Sequence, residues 1–114
     1  MFESYKLFAG VLSNRTRFDI VMLLMEEERS VLEICQASGY EQSRVSHNLR
    51  CLLNCGFVEV EQKGKRRIYR LNSDIKELIL KIKNHLSVYE NHLRKCGILR
   101  DEDGIAMERL HNEL

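Results

Sequence analysis

At 114 residues the chain has room for one domain, with a core thin enough that pairing with a second copy would bury useful further apolar surface. Hydrophobic residues make up 44% and charged residues 31%, and no run approaches the ~18 consecutive apolar residues of a membrane span. These figures set aside a disordered chain, a coiled-coil rod and a membrane protein. The formal net charge of +1 conceals a basic middle: residues 41–70 carry seven basic and three acidic side chains, whereas residues 1–40 and 99–114 are net acidic. Such a distribution suits a protein that offers one face to a polyanion.

The opening Met1-Phe2-Glu3-Ser4-Tyr5-Lys6 has an early acid and no apolar signal-peptide core, so a cytoplasmic location is expected. There the four cysteines, Cys35, Cys51, Cys55 and Cys96, are expected as reduced thiols, and no Cys-x-x-Cys pair suggests structural zinc. The absence of proline suits long helices.

In chain order, Phe2, Tyr5, Phe8, Ala9 and Leu12 form a helical stripe over residues 2–12, and Ser13 or Asn14 can break and recap the chain. A second helix is predicted from about Arg15 to Glu27, apolar around much of its girth through Phe18, Ile20, Val21, Leu23, Leu24 and Met25 and therefore central. Val31, Ile34 and Cys35 mark a short helix ended by a left-handed Gly39. Val45, Leu49, Leu52 and Leu53 then mark another, closed by Gly56. Two short helices joined by a tight turn make a helix-turn-helix.

The period then changes. Val58 to Glu61 alternates as a strand, Gln62-Lys63-Gly64-Lys65 is turn chemistry, and Arg67 to Leu71 reads as the returning strand. The last helix is the most regular, with Ile75, Ile79, Ile82, Leu86, Tyr89 and Leu93 on a heptad seam that Gly97 ends. The predicted fold is mainly α with a small β-hairpin, a winged helix-turn-helix in the order α-α-α-α-β-β-α. Residues 1–97 are expected to form one DNA-binding and dimerisation domain. Residues 98–114 read as an acidic tail with one weak helix through Ile105, Leu110 and Leu114.

Turning Val45, Leu49, Leu52 and Leu53 inward leaves Ser43, Ser46, His47, Arg50 and Asn54 facing solvent at ~100° per residue, with Gln42 and Arg44 at the helix start and flank. These small or hydrogen-bonding side chains suit base edges in a major groove, though any surface helix has a polar face. The hairpin tips the balance towards nucleic acid. Lys63, Lys65, Arg66, Arg67 and Arg70 lie within one short run containing no acid, as a strand pair lying along a phosphate backbone would require. The residues expected on double-stranded DNA are therefore Gln42, Ser43, Arg44, Ser46, His47, Arg50, Lys63, Lys65, Arg66 and Arg67. The seam on the last helix, with Phe2, Tyr5 and Phe8 on the first, is expected to join two copies into a homodimer.

The run Gln42-Ser43-Arg44-Val45-Ser46-His47-Asn48-Leu49-Arg50, the step Cys55-Gly56-Phe57-Val58 and the segment from Gly64 to Arg70-Leu71 resemble the winged helix-turn-helix of ArsR-type transcriptional repressors. Leu12-Ser13-Asn14-Arg15-Thr16-Arg17-Phe18 is similar to that family's entry into its second helix, and the likeness covers residues 5–95. The resemblance implies a dimeric repressor that binds an operator and is released by a metal or another small inducer. The family's metal-binding patterns are not matched. Ser30 and Leu32 stand where paired cysteines would precede the turn, and Asp74, Lys76, Ser87 and Glu90 stand where an Asp-x-His and a His-x-x-His/Glu would lie on the last helix.

His85, His92 and Cys96 fall within ~40° of one another at helical spacing. They are the remaining candidate ligands, with a buried hydrophobic Cys96 the favoured alternative. Cys51 and Cys55, four apart, are expected to pack beneath the wing, with a thiol switch as the alternative. Any effector is accordingly expected at the last helix or through cysteine oxidation. No phosphate-cradling glycine loop, His-Glu-x-x-His or nucleophile elbow occurs, so neither an enzyme nor a resident cofactor is expected. Two other readings keep the same elements: a winged-helix protein-interaction module without DNA binding, and a MarR-like regulator with a different dimer.

Overall fold

The computed structural model describes residues 1–102; the helix expected through Ile105, Leu110 and Leu114 lies outside the described residues. The elements are α1 (Glu3–Ser13), α2 (Arg15–Glu26), β1 (Arg29–Ser30), α3 (Val31–Ser38), α4 (Gln42–Asn54), β2 (Val58–Lys63), β3 (Arg66–Leu71), α5 (Ser73–Lys95) and α6 (Gly97–Glu102). This is a winged helix-turn-helix in the expected order, with β1 and α6 added. The chain divides into two compact units between Lys76 and Glu77, within α5.

Asn14 and Arg17 make the corner between the first two helices. The Asn14 side chain accepts from the Arg17 backbone N–H at 3.0 Å and caps α2. The Arg17 guanidinium turns back and donates to the carbonyls of Val11 and Gly10 at 3.1 and 3.0 Å, satisfying acceptors that the end of α1 leaves open. On α1 the buried residue is Val11, outside the expected stripe, and Phe8 is half-buried with its ring centroid 5.6 Å from that of Phe57. α2 buries Ile20, Val21 and Leu24, but Phe18 faces solvent, so its apolar girth is not wholly internal.

The capping box of α3 was not visible as such in the periodicity. The Ser30 hydroxyl accepts from the Glu33 N–H at 3.2 Å, and the Glu33 carboxylate accepts from the Ser30 N–H at 3.0 Å. Ser30 also belongs to β1, which pairs antiparallel with β3 through Arg29↔Tyr69 and Ser30↔Ile68. The sheet order is thus β1-β3-β2, and β3 is a central strand rather than one arm of a free hairpin. Ile68 and Tyr69 are accordingly both buried, breaking simple alternation.

Gly39 takes φ 78° at the end of α3, as expected of a left-handed cap. Beyond α4, the N–H groups of Phe57 and Gly56 reach back to the carbonyls of Leu52 and Leu53 at 2.9 and 3.1 Å, a Schellman closure that feeds the chain into β2. The strands run further towards the tip than the composition indicated, with Lys63 paired to Arg66 and only Gly64 and Lys65 between them. Ile20, Val21, Leu24, Ile34, Val45, Leu49, Leu52, Phe57, Val58, Ile68, Tyr69 and Leu71 form the core within residues 1–76. In the second unit, α5 ends at Lys95, Cys96 breaks the chain, and Gly97 opens α6 instead of simply terminating the long helix. The helical spacing assumed for His85, His92 and Cys96 therefore stops short of the cysteine.

Candidate nucleic-acid interface

α4 is held by Val45, Asn48, Leu49 and Leu52, all buried. Gln42, Ser43, Arg44, His47 and Arg50 are exposed on its outer side and Ser46 is half-buried. Among the described residues, the side chains of Gln42, Ser43, Ser46, His47 and Arg50 make no hydrogen bond or ion pair within the chain. Arg44 differs. Its Nε donates to the Thr16 hydroxyl at 2.9 Å, and its guanidinium carbon lies 4.4 Å from the Tyr40 ring centroid.

The wing also divides into engaged and open cations. Lys63 pairs with Glu28 at 2.9 Å. Arg66 pairs with Glu33 at 2.6 Å and donates to the Ser30 hydroxyl at 3.2 Å. Arg70 bridges Glu59 and Glu61 across the strands at 3.2 and 2.9 Å. Lys65 and Arg67 are exposed with no ion-pair partner among the described residues. The hydrogen bond and charge of Lys63 lower the Glu28 pKa, and Glu28 in turn raises that of Lys63. Glu33 is also held below the usual carboxylate range, first by the Ser30 backbone N–H and then by its hydroxyl.

The acids that engage the wing were missed because two of them, Glu28 and Glu33, lie more than thirty positions away in sequence. The Glu59↔Arg70 pair, by contrast, follows from the strand register. An open depression of about 360 Å³ brings Gln42 together with Arg66 and Arg67, alongside Ser30, Val31 and Leu32. The start of α4 and the tip of the wing thus border one depression.

Of the residues expected between two copies, Phe2 and Tyr5 are 61% and 73% exposed and Phe8 is half-buried. On α5, Ile79 is buried, Ile75 and Ile82 are half-buried, and Leu86, Tyr89 and Leu93 are 47%, 58% and 41% exposed. His85 and His92 are exposed, and Cys96 is half-buried beyond the helix end. Among the described residues no three His, Cys, Asp or Glu side chains converge as a metal site, and no helix is long and apolar enough to cross a membrane. Glu90 pairs with Arg94, and the Ser87 hydroxyl donates to the Asn84 carbonyl. Cys55 is exposed and Cys51 half-buried; partial burial and the neighbouring Cys51 thiol push the Cys55 thiol up.

Residues 14–60 match the model of the bacterial regulatory protein arsR family. The chain is 34% identical over 62 residues to the "Probable mercury resistance operon repressor" of Streptomyces lividans, a match covering 54% of this chain and 50% of that one. It spans half or less of the length of the curated relatives it matches. The crystal structure of Rv0081 from Mycobacterium tuberculosis superposes with a TM-score of 0.72 at 29% identity, over 81% of this chain and 95% of that one. A Mycobacterium bovis fragment is described in solution as a homodimeric winged helix-turn-helix DNA-binding domain of "a possible ArsR-family transcriptional regulator". That solution structure matches over 84% of this chain and 92% of its own at 28% identity and a TM-score of 0.66. The crystal structure of the same fragment aligns at 32% identity over 68% of this chain and 84% of its own, with a TM-score of 0.59. With the family model lying on the helix-turn-helix itself and the fold shared across nearly the whole of these relatives, the chain belongs to the ArsR family of bacterial regulatory proteins.

Proposed function

We propose that the chain is a homodimeric, sequence-specific repressor that binds a double-stranded DNA operator in the cytoplasm and performs no covalent chemistry. The observation that carries this reading is the set of polar groups on one face of α4 that are unengaged among the described residues, beside a wing whose tip cations Lys65 and Arg67 have no counter-ion among them. The α4 face supplies hydrogen-bonding groups for base edges, Ser43 and His47 foremost. The wing supplies charge for phosphates. Lys63 and Arg66 lie on the same strands but already have carboxylate partners, so Lys65 and Arg67 take the larger share of the phosphate contact.

Residues 1–97 serve as the DNA-binding and dimerisation domain, with 98–114 as an appended tail. The dimer forms through Phe2, Tyr5 and Phe8 of α1 and Ile75, Ile79, Ile82, Leu86, Tyr89 and Leu93 of α5. The Mycobacterium bovis domain described as homodimeric supports that assembly. An inducer, if the protein uses one, is a small molecule or ion whose chemistry the unmatched family patterns at Ser30, Leu32, Asp74, Lys76, Ser87 and Glu90 do not specify.

The test is selection of bound duplexes from a random pool, followed by affinity measurements across salt concentration. Lys65→Gln and Arg67→Gln should each weaken selected and scrambled duplexes alike and lower the salt slope by about 0.9. Lys63→Gln and Arg66→Gln should lower it less. His47→Ala or Ser43→Ala should relax preference at particular base pairs, each good contact contributing about 1–3 kcal/mol of discrimination. A native protein that enriches no duplex would return the fold to the class of protein-interaction modules.

A further inference from the structure

An exposed arginine in the first turn of a DNA-reading helix would by default be assigned to a phosphate. Arg44 is engaged elsewhere. Its Nε donates to Thr16 on α2, its guanidinium covers the Tyr40 ring, and the Tyr40 hydroxyl donates to the Asp19 carboxylate, also on α2. Thr16 and Asp19 are three residues apart and so lie on one face of α2. Two attachments, one from Tyr40 before α4 and one from Arg44 in its first turn, therefore run to adjacent turns of the same helix. The Arg44 carbonyl additionally accepts from the buried Asn48 amide at 2.9 Å.

The opening of α4 needs such a hold. Glu41 precedes the helix without a side-chain cap, in contrast to Asn14 before α2 and Ser30 before α3. Its core contacts begin only at Val45. Gln42, Ser43 and Ser46 thus stand where apolar packing alone constrains the helix axis least. Base readout tolerates displacements of only about 0.5 Å.

We infer that Arg44 is a positioning residue for sequence discrimination, clamping the first turn of α4 onto α2 through Thr16 and Tyr40 rather than gripping a phosphate. The inference rests on the DNA-binding reading proposed above and sharpens it. Thr16 supplies the decisive variant because it is 3% exposed and has no access to a duplex.

The experiment uses the full-length protein, the best duplex selected from a random pool and a scrambled duplex of the same composition. Thr16→Val removes the acceptor while keeping the shape, and Arg44→Lys keeps the charge while losing the Nε donor and the flat stacking surface. Each should lower the preference for the selected duplex by about three- to tenfold, the range set by losing one net hydrogen bond. The salt slope should stay at the native value. The Thr16→Val/Arg44→Gln double variant should be no worse than Arg44→Gln alone, because both changes break one link.

The ratio of the two affinities is insensitive to the fraction of folded protein, so a simple loss of stability does not imitate the effect. A phosphate role for Arg44 would instead leave Arg44→Lys and Thr16→Val like the native protein and lower the salt slope of Arg44→Gln by about 0.9, which overturns the inference. If the native protein selects no duplex, the DNA-binding reading falls and the inference falls with it. If it selects one that Thr16→Val reads equally well, only the inference falls.

Discussion

α4 and α5 carry the same kind of apolar spacing and meet different fates. The thirteen residues of α4 have their stripe consumed by the chain's own core: Val45, Leu49 and Leu52 are buried, and Asn48 between them satisfies itself on the Arg44 carbonyl. The twenty-three residues of α5 bury Ile79 alone, and their seam is half-buried at Ile82 and exposed at Leu86, Tyr89 and Leu93. An apolar stripe reports that a helix needs a partner and is silent on whether the same chain provides it. For α4 the partner is internal. For α5 the unburied heptad spacing is the physical basis for proposing a second copy.

The sharpest way to break this contrast is to remove equivalent apolar mass from each helix. Leu49→Ala leaves a cavity in a closed core and should cost about 2–5 kcal/mol, with a urea midpoint independent of protein concentration. Ile82→Glu should act on assembly: the native protein should sediment as a dimer whose midpoint rises with concentration, and the variant as a monomer whose midpoint does not. A native chain that is monomeric at micromolar concentration would remove the distinction, leaving α5 as a helix with an unexplained apolar face.

The same contrast marks what could be read from residues alone. On α1 the buried residue is Val11, outside the expected stripe, whereas α3 and α4 were legible because each has one partner-facing stripe and a glycine terminator, Gly39 and the Gly56 closure. β1 was not, since two residues cannot show alternation, and their pairing with β3 depends on a contact across almost forty positions. The open face of α4 followed from angular arithmetic: Ser43, His47 and Arg50 are exposed as it expects, while Ser46 is half-buried. Which cations are free did not follow. The run from Lys63 to Arg70 contains no acid, yet Glu28 and Glu33 reach it through the fold and Glu59 and Glu61 across the strands. The clamp on Arg44 was hidden for the same reason, because Thr16 lies twenty-eight positions upstream. Period locates faces, and long-range polar pairing decides which groups on them remain available.

A smaller effect separates the polar fixings of the first unit from the open seam of the second. Ser30→Ala removes the hydroxyl that caps α3 and also receives Arg66, and should cost about 1 kcal/mol. That loss should be the same at low and high protein concentration if the first unit is internally complete. A cost that grew on dilution would mean that the α3 and wing junction is itself coupled to assembly.

The smallest expected effect is a pH dependence at the same junction. Glu33 accepts from the Ser30 N–H, with the hydroxyl and Arg66 adding to the stabilisation, so its carboxyl titrates below its ordinary value in the folded chain. A folded-state pKa below the unfolded one means that the charged form favours folding. The contribution is complete above the unfolded value and fades as pH falls through the folded one. Glu33→Gln keeps the size and an acceptor oxygen but abolishes the titration. Urea midpoints measured from about pH 7 down to about pH 3 should therefore place the variant below the native protein near neutrality and bring the two together in acid. Because the Arg66 partner is solvent-exposed, salt should weaken that part of the difference first and leave the backbone hydrogen bond in place. A native-to-variant gap that persisted unchanged at the acid end would show that Glu33 acts by packing at the start of α3, and the ionic part of the junction would then contribute nothing to the fold.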